Sequence, residues 1–354
     1  MHLLRFISFF IFISLFFSQS VYGQFNSSLA EQYIKAQEDS QQSMGAIAIS
    51  KGNSNIFNKA WGYENVEDEK AADDKTTYRI GNISQIFTAA IALQLIEEGK
   101  LSYKTPVEEY YPVIPYARTT TINHLLKHQT GLIDITADSL FEANKSKELT
   151  NVSLIRLMVE GGNTFDAGED TEFSPSNYMI LQWIIEKVEN QPLDKMLQQR
   201  ILNNCGLKLT SLAKNADNLA NSYVSKEEWS LMEPSEISNY PGTGHIASTP
   251  IELNDFMNCL YGHKVISADH FSKMIKPGDG FMPLYPLEYF DGEAIGIECK
   301  VDGTNAIMIY LPEENVTISI FSNGSSYDFK QLVEDFERIY KGEMKSVPKL
   351  KKAF

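Results

Sequence analysis

The sequence predicts a mixed α/β (α+β) fold in which one antiparallel sheet is flanked by helices. Two observations lead to this prediction: β-prone runs occur near both ends, within about 44–62 and 293–323, and helical periodicity dominates the region between them, about 100–285. Strands at both ends imply that the terminal segments pair in a single sheet, into which a mainly helical region is inserted. We therefore expect one intergrown domain at 24–341.

The N-terminal part of this domain begins with a predicted β-hairpin. Residues 44–50 and 55–61 are short β-prone runs, and the connecting residues 51–54 include the glycine and asparagine typical of a turn. Residues 83–98 carry apolar side chains around most of a helical circumference, so we expect a buried helix there. Gly99 is expected to end that helix.

Helices and then strands are predicted for the rest of the domain. Helical periodicity recurs at 121–127 and 177–203, and Pro192 is expected to break the second run into two helices. Three strands and a final amphipathic helix are predicted at 293–300, 304–311, 315–322 and about 327–341. The last residues, 342–354, form a basic tail that we expect to be frayed.

The first residues have the three-part pattern of a secretory signal peptide. Arg5 precedes an apolar run from Phe6 to Phe17, and small residues around Gly23 provide a cleavage site. The apolar run is shorter than the roughly 20 residues that span a bilayer. We therefore predict a signal peptide at 1–23, cleavage after Gly23, a secreted or periplasmic protein, and no stable membrane span after cleavage.

Composition and motif content exclude several kinds of partner. The formal net charge is −15, and an acidic surface repels phosphate backbones, so we expect no nucleic-acid partner. The sequence contains no HExxH or paired-carboxylate metal motif, so we predict neither a metal nor a cofactor. Cys205, Cys259 and Cys299 are too widely spaced for a metal knuckle or a disulfide framework. At most one bridge can form within the chain, and we expect buried, inert thiols.

Four segments carry recognisable motifs. They are YRIGNISQIFTAAIALQLIEEGKL at 78–101, TTINHLLKHQTGL at 120–132, AGEDTEFSPSNYMILQWIIEKVENQPLDKML at 167–197, and FDGEAIGIE at 290–298, which leads to YLPEENVTISIFSN at 310–323. This ordered set resembles the serine β-lactamase and penicillin-binding-protein family, especially class C β-lactamases, DD-carboxypeptidases and related esterases. The resemblance covers most of residues 40–340 and implies the β-lactamase/transpeptidase fold.

The resemblance also implies positions for the family's reactive side chains, and this sequence departs from the family at five of them. Family members read approximately R-I-G-S-x-x-K in the first segment, where this chain has Asn82 in place of the nucleophilic serine and Gln85 in place of the lysine. In the Y-x-N motif, Phe173 replaces the tyrosine and Pro175 the asparagine. In the H-x-G triplet, Phe290 stands at the histidine position.

These replacements remove the groups that attack the acyl carbonyl and transfer protons. An amide nitrogen shares its lone pair with the carbonyl group, so Asn82 is a very poor nucleophile, and neutral Gln85 cannot act as its base. Elsewhere, removing one nucleophile lowers turnover on the order of 10⁶-fold, and losing the whole set costs little more. We therefore expect a catalytically inactive family member, a pseudoenzyme.

Scaffold residues around these positions are retained, so we expect a cleft to persist. The resemblance implies backbone donors at Asn82 and Glu293 that would resemble the family's oxyanion hole. Two aromatic side chains, Phe173 and Phe290, are expected to face Asn82. The residues expected to bind a ligand are Asn82, Phe173, Asp291, Gly292 and Glu293.

No other residue has the surroundings of the family's nucleophile. Ser84 is the hydroxyl nearest the helix start, but its neighbour one turn later is aromatic rather than basic. Ser174 and Ser176 flank the altered loop motif, and loop hydroxyls more often bind the backbone than catalyse. His124 and His128 lie in a segment that is structural in the family.

Three functions remain open. The first is a non-catalytic protein of the cell envelope that binds a peptide, a peptidoglycan fragment or a partner protein through the former cleft or its surface. The second is a serine hydrolase or esterase with a relocated nucleophile at Ser84, Ser174 or Ser176. The third is a purely structural interaction module without a ligand in the cleft. The replaced reactive side chains favour the first.

Overall fold

A computed structural model describes residues 25–276 and 283–354 of the protein. The signal peptide predicted at 1–23, with its cleavage site after Gly23, lies outside these described residues. Within them, no helix is both long enough and apolar enough to cross a membrane.

Strands and α-helices occur in groups along the chain, an order typical of an α+β protein. The strands are β1 (Ser43–Lys51), β2 (Ser54–Trp61), β3 (Tyr63–Asn65), β4 (Lys70–Ala71), β5 (Tyr78–Arg79), β6 (Ser211–Leu212), β7 (Tyr223–Ser225), β8 (Trp229–Leu231), β9 (Ile246–Ser248), β10 (Tyr285–Pro286), β11 (Ile295–Val301), β12 (Thr304–Leu311) and β13 (Val316–Ser325). The α-helices are α1 (Ser27–Asp39), α2 (Ser84–Glu97), α3 (Ile122–Leu126), α4 (Ser139–Glu142), α5 (Asn151–Gly161), α6 (Pro175–Glu189), α7 (Leu193–Leu197), α8 (Asn203–Cys205), α9 (Pro250–Tyr261), α10 (Ala268–Ile275) and α11 (Phe329–Tyr340).

The main sheet has six antiparallel strands in the order β10-β11-β12-β13-β1-β2. Strand β1 joins the two ends of the chain, because it pairs with β2 of the N-terminal hairpin on one side and with β13 on the other. Ile47 marks the register, opposite Ile320 in β13 and Lys59 in β2. The predicted fold, one antiparallel sheet built from both terminal segments, is confirmed.

Helices cover both faces of this sheet. One face, which includes Ile307 and Ile309 of β12, packs against α1 and α11. The opposite face, which includes Ala306 and Met308, packs against helices of the inserted region, among them α2 and α9. Successive residues of one strand thus contribute to different cores, as the alternation of side chains along a strand requires.

Helix α2 lies at the centre of the inserted region, in agreement with its apolar sequence. Every residue from Ser84 to Leu93 is buried. Phe87 stacks on Phe256 of α9 with ring centroids 3.9 Å apart. Gly99 follows the helix at φ +71°, a left-handed conformation that favours glycine. Burial of α2 fixes the short 3₁₀ turn Gly81–Ile83 that leads into it, at the position where the sequence resemblance predicts the family's nucleophile.

The inserted region contains more strand than predicted. Its longest helical run does break at Pro192: α6 ends before the left-handed Asn190, at φ +50°, and α7 starts after the proline. Between α8 and α9, however, the chain contains the short strands β6 to β9. Strand β9 pairs with β6 and with β5, which precedes α2, and β7 pairs with β8. Pairing of β9 with β5 holds the preceding segment 237–245 beside the start of α2.

Two of the three cysteines are joined, contrary to the expectation of unpaired thiols. Cys205 of α8 and Cys259 of α9 form a disulfide with Cα atoms 5.7 Å apart. They pair despite their wide spacing because α8 packs against α9, a contact that the spacing of cysteines does not reveal. Cys299 of β11 is a free thiol and is buried.

The basic tail is packed rather than frayed. The side-chain amide of Gln42 donates to a carbonyl oxygen of the tail over 2.6 Å, and the backbone N–H of Ala353 donates to the carbonyl oxygen of Ser40 over 2.9 Å. The ring of Phe354 lies edge-on to Trp229 with centroids 5.4 Å apart. The expectation was wrong because these bonds to the turn after α1 hold the tail backbone while its basic side chains remain solvated.

Candidate functional site

A polar pocket of about 320 Å³ lies where the starts of α2 and α6 meet the end of β11. Asn82, Phe173 and Pro175 line it, so the structure brings together three of the five positions at which the sequence predicts a replaced reactive side chain. The other lining residues are Gly81, Asp134, Thr136, Glu142, Lys145, Tyr240, Gly244, Cys299, Lys300, Val301 and Asp302. Gln85 is buried one helical turn after Asn82 and lies behind this lining.

Asn82 and Gln85 belong to a chain of hydrogen-bonded side chains. The hydroxyl of Thr243 donates to Oδ1 of Asn82 over 3.2 Å and accepts from Nε2 of Gln85 over 2.7 Å. Oε1 of Gln85 in turn lies 3.3 Å from Nε2 of His128. Amide and hydroxyl groups therefore occupy the region in which the sequence resemblance predicts the family's serine and lysine. Thr243 was not found by sequence reasoning, because it lies outside the four motif segments.

His128 ends this chain as a neutral imidazole. Burial lowers its pKa from the ordinary histidine value to about 3. Nδ1 lies 3.1 Å from the backbone N–H of Ser174 and 3.2 Å from the amide nitrogen of Asn177, whose Oδ1 accepts from Thr130. These two donors at Nδ1 assign the ring proton to Nε2, which donates to Gln85. With the proton on Nε2, Nδ1 cannot donate to the carbonyl oxygen of Ser174, which lies 3.0 Å away.

Phe173 and Pro175 reach the pocket from the start of α6. Pro175 is the first residue of the helix, a position at which the missing N–H of proline costs nothing because that N–H would have no partner within the helix. Phe173 is 37% exposed, and its ring centroid lies 4.8 Å from that of His128. The part of the wall formed by Phe173 and Pro175 is thus aromatic and apolar, at the position where the resemblance predicts a tyrosine hydroxyl.

The backbone N–H of Asn82 already has a partner within the chain. It donates to Sγ of Cys299 in β11 over 3.2 Å. Gly81 permits this approach, because a Cβ at that position would collide with the same sulfur. In the family, the corresponding N–H contributes to the oxyanion hole. Here a buried thiol stands in front of it.

Phe290 does not face Asn82, and this sequence-based placement is wrong. Phe290 is buried on the opposite face of the sheet, where its ring packs edge-on against Tyr340 of α11 with centroids 5.7 Å apart. The reason is its place in the chain: Phe290 lies in the turn that precedes β11, whereas the far end of β11, at Cys299, is what reaches Asn82.

Asp291, Gly292 and Glu293 also lie outside the lining of the pocket. Asp291 and Gly292 belong to the same turn as Phe290, and the Asp291 carboxylate forms an ion pair with Lys341 of α11 over 2.8 Å. The expected pair of backbone donors at Asn82 and Glu293 is therefore not brought together. Of the five predicted binding residues, the structure places Asn82 and Phe173 in the pocket.

The pocket contains charged side chains that the sequence patterns did not indicate. The side chain of Asp302, in the turn after β11, is 4% exposed. Its carboxylate accepts from the backbone N–H and the hydroxyl of Ser235 over 2.8 and 2.9 Å. Arg79 and Lys145 approach its carboxylate to 3.6 and 3.8 Å. A hydrogen bond to Glu142 raises the pKa of Lys145, so the lysine is protonated near neutral pH and is unsuited to act as a base.

The three serines considered as relocated nucleophiles bind elsewhere. The hydroxyls of Ser174 and Ser176 both donate to the carbonyl oxygen of Ile133, over 3.0 and 2.7 Å. Oγ of Ser84 accepts from the backbone N–H of Ile246 over 3.3 Å. All three side chains are buried, and none lines the pocket.

The remaining lining of the pocket carries charged side chains of both signs. Lys145 and Lys300 can supply positive charge and Glu142 and Asp134 negative charge, beside the aromatic ring of Phe173. Among residues 25–276 and 283–354, no cluster of three or more histidine, cysteine, aspartate or glutamate side chains is arranged to hold a metal ion. The pocket can therefore offer a ligand hydrogen bonds, charge and an aromatic surface.

Comparison with known proteins identifies the class to which this fold and pocket belong. A family model described as β-lactamase matches residues 30–339. The chain therefore belongs to the β-lactamase family, and the resemblance to serine β-lactamases and penicillin-binding proteins is confirmed.

Individual relatives are distant in sequence. Penicillin-binding protein 4* of Bacillus subtilis (strain 168) is 24% identical over 247 residues, which make up 65% of this chain and 54% of that protein. Teichoic acid D-alanine hydrolase of Staphylococcus aureus (strain MRSA252) is 23% identical over 230 residues, 63% of this chain and 55% of that protein. The chain thus matches little more than half the length of these curated relatives. The D-amino acid amidase from Ochrobactrum anthropi SV3 superposes with a TM-score of 0.78 at 18% identity, over 89% of this chain and 98% of that one, which supports the fold assignment.

We expect Cys299 to react slowly with thiol reagents in the folded protein. It is the thiol that the disulfide leaves free, and burial raises its pKa to about 11, so the reactive thiolate is scarce near neutral pH. Titration with dithiobisnitrobenzoate should detect one thiol in the unfolded chain and almost none within minutes in the folded chain. The variant Cys299→Ala is the control for background colour. Rapid reaction of the folded wild type would contradict the burial of this residue.

Proposed function

We propose that this protein is an exported, non-catalytic member of the β-lactamase family that binds a peptide or a cell-wall fragment in the pocket around Asn82. Asn82 and Phe173 contact the ligand in this proposal, and Lys145 and Lys300 supply positive charge to its acidic groups. Export rests on the signal-peptide pattern at 1–23.

The observation that carries the proposal is the chain of hydrogen bonds from Asn82 through Thr243 and Gln85 to His128. General-base catalysis needs a group whose pKa lies near the operating pH. The imidazole of His128, with a pKa of about 3, is a weak base and is separated from Asn82 by two other side chains. Amides at both the nucleophile and the base position leave groups that bind but do not attack.

Two further observations weigh against turnover by another route. The hydroxyls of Ser84, Ser174 and Ser176 are buried and bonded to backbone groups, so none is available as a relocated nucleophile. The N–H of Asn82 is bonded to the sulfur of Cys299, so it is not free to stabilise an oxyanion. The printed names of the two curated relatives, a penicillin-binding protein and a teichoic acid D-alanine hydrolase, motivate cell-wall fragments as the first ligands to test.

Covalent labelling tests the absence of turnover. We expect no mass increase when the purified protein is incubated with a fluorescent penicillin or a fluorophosphonate, because both probes require an activated hydroxyl. Intact-mass measurement is the readout, and an active serine β-lactamase labelled in parallel shows that the probes are competent. An adduct on Ser84, Ser174 or Ser176 would instead establish a relocated nucleophile and overturn the proposal.

Thermal denaturation in the presence of muropeptides tests the binding. A ligand that binds the folded state raises the melting temperature, and this rise should disappear in Phe173→Asp, which places a charge on the aromatic wall of the pocket. Tyr63→Asp changes an aromatic residue of comparable exposure outside the pocket, 40% against 37%, and should retain the rise. Absence of a rise with any muropeptide or peptide would favour an interaction module without a cleft ligand.

A further inference from the structure

A second cavity, of about 240 Å³, lies next to the proposed ligand pocket. Residues of the segment 237–245 line both: Tyr240 and Gly244 border the ligand pocket, whereas Pro241 and His245 border the second cavity. The remaining walls of the second cavity come mainly from α6 and α7. This volume is close to the lower end of the range of about 300–1,000 Å³ that small-molecule sites occupy.

Three buried polar atoms on residues that line the second cavity have no hydrogen-bonding partner among the described residues. They are Nε1 of Trp183, Nε2 of His245 and Oε1 of Gln182. Native proteins pair the large majority of their buried polar atoms, so three such atoms around one small cavity indicate that a bound molecule supplies the partners.

The position of the ring proton on His245 determines whether Nε2, the nitrogen without a partner, needs a hydrogen-bond donor or an acceptor. The backbone N–H of Gly242 donates to Nδ1 of His245 over 2.9 Å, closer than the carbonyl oxygen of Tyr240 at 3.2 Å. Nδ1 is therefore the acceptor, and Nε2 carries the proton. Because the indole N–H of Trp183 is also a donor, two donors at this cavity require an acceptor such as a carbonyl oxygen.

Carboxylates at the second cavity require the opposite kind of group. Glu186 lies one helical turn after Trp183 on α6, so its carboxylate and the indole N–H share one face of the helix. Asp194 of α7 adds a second carboxylate, against the single ammonium of Lys214 at the exposed rim. The excess of carboxylates over ammonium groups favours a cationic ligand. Because Trp183 and Glu186 are one helical turn apart, the ligand should carry its cationic group close to its hydrogen-bond acceptor.

We propose that the second cavity binds a small primary amine that bears a neighbouring carbonyl group and a compact aliphatic body. Its ammonium group pairs with Glu186 and Asp194 and donates to Oε1 of Gln182. Its carbonyl oxygen accepts from Trp183 and His245. The aliphatic body packs on the apolar part of the wall, which comprises Leu193, Leu212, Ile237 and Pro241. This site is separate from the pocket around Asn82 and does not depend on the function proposed for that pocket.

Leucinamide is a suitable probe because it combines these three groups in one small molecule. Calorimetric titration at about pH 7.5 should show saturable binding of leucinamide to the full chain. Isopentylamine lacks the carbonyl group and 4-methylpentanamide lacks the ammonium group, so each should bind more weakly than leucinamide by about tenfold or more. Equal affinity for all three compounds would overturn the proposed polar contacts.

Variants locate the binding. Glu186→Gln removes the negative charge and should weaken leucinamide binding by about tenfold, whereas Glu109→Gln, a change at an exposed carboxylate outside the cavity, should not. Ser238→Arg places a cationic side chain at the exposed rim and should abolish binding without touching the helix core. If Phe173→Ala weakens leucinamide binding and Ser238→Arg does not, the amine occupies the pocket around Asn82 and the proposal is overturned. Absence of binding to the wild type would overturn it as well.

Discussion

Replacing Cys205 and Cys259 together with alanine is expected to lower the free energy of unfolding by about 4 kcal/mol. The disulfide joins residues with a sequence separation of 54, and closing a loop of that length removes much of the conformational entropy of the unfolded chain. The folded state loses little in exchange, because alanine fits the space of a cysteine without its sulfur. Urea denaturation followed by tryptophan fluorescence measures the change as a shift of the transition midpoint.

Reduced wild-type protein is the matched comparison for this variant, because a reductant opens the disulfide without removing either side chain. The reduced wild type and the double variant should unfold at similar urea concentrations, both well below that of the oxidised wild type. Equal midpoints for the oxidised wild type and the variant would show that Cys205 and Cys259 are not joined in the folded protein.

Lowering the pH from about 6.5 to about 4 is expected to destabilise the protein strongly, because two buried histidines stay neutral in the fold. Burial lowers the pKa of His128 to about 3 and that of His245 to about 4, whereas an unfolded chain binds protons at histidine near pH 6.5. Their contribution to stability is complete above about pH 6.5 and is lost as the pH falls towards the folded-state pKa values. Each histidine can contribute at most about 1.4 kcal/mol per pH unit to this loss.

The variant His128→Gln separates one of the two contributions. Glutamine keeps a hydrogen-bonding amide but takes up no proton, so the slope of the free energy of unfolding between about pH 6 and 4 should fall by up to about 1.4 kcal/mol per pH unit. His263→Gln, the same change at an exposed histidine, is the control for effects of the substitution itself. An unchanged slope in His128→Gln would contradict a neutral, buried imidazole and the proton assignment that links it to Gln85.

The positions of Asn82, Gln85 and Phe173 could be inferred from the sequence because each lies inside a locally continuous motif. Gly81 before Asn82 and Phe87 after it belong to one turn and one helix, which leaves no room for a shift of the frame. The main sheet was predictable for a similar reason, since its strands carry strong apolar patterns bounded by turn residues. Sequence patterns were therefore enough to predict those elements and positions that depend on residues close together in the chain.

Phe290 shows where local reasoning fails. Asp291 and Gly292 resemble the end of an H-x-G triplet, but an aspartate followed by glycine is equally typical of a turn, and here both residues belong to the turn before β11. The strand reaches Asn82 further along, at Cys299, and a cysteine carries no family signal there. The motif was assigned to the turn before β11, whereas the opposite end of this strand, at Cys299, contacts Asn82.

Contacts between distant segments account for the other differences. Lys145 and Asp302 meet in the pocket although a large part of the chain separates them, and neither residue lies in a motif. Cys205 and Cys259 pair for the same reason, since their contact depends on how α8 packs against α9. Local patterns in a single sequence do not indicate contacts between residues that are far apart in the chain, so these contacts become visible only in the folded structure.

The pairing of β1 with β13 also affects when the sheet can form during synthesis of the chain. Strand β1 leaves the ribosome early, yet its partner, Val316–Ser325, emerges only after the whole inserted region. Until then β1, which is buried along nearly its entire length in the finished sheet, keeps one edge unpaired, and contacts between such distant partners form slowly. The main sheet of such a chain can therefore be completed only late in its synthesis, after Val316–Ser325 has emerged.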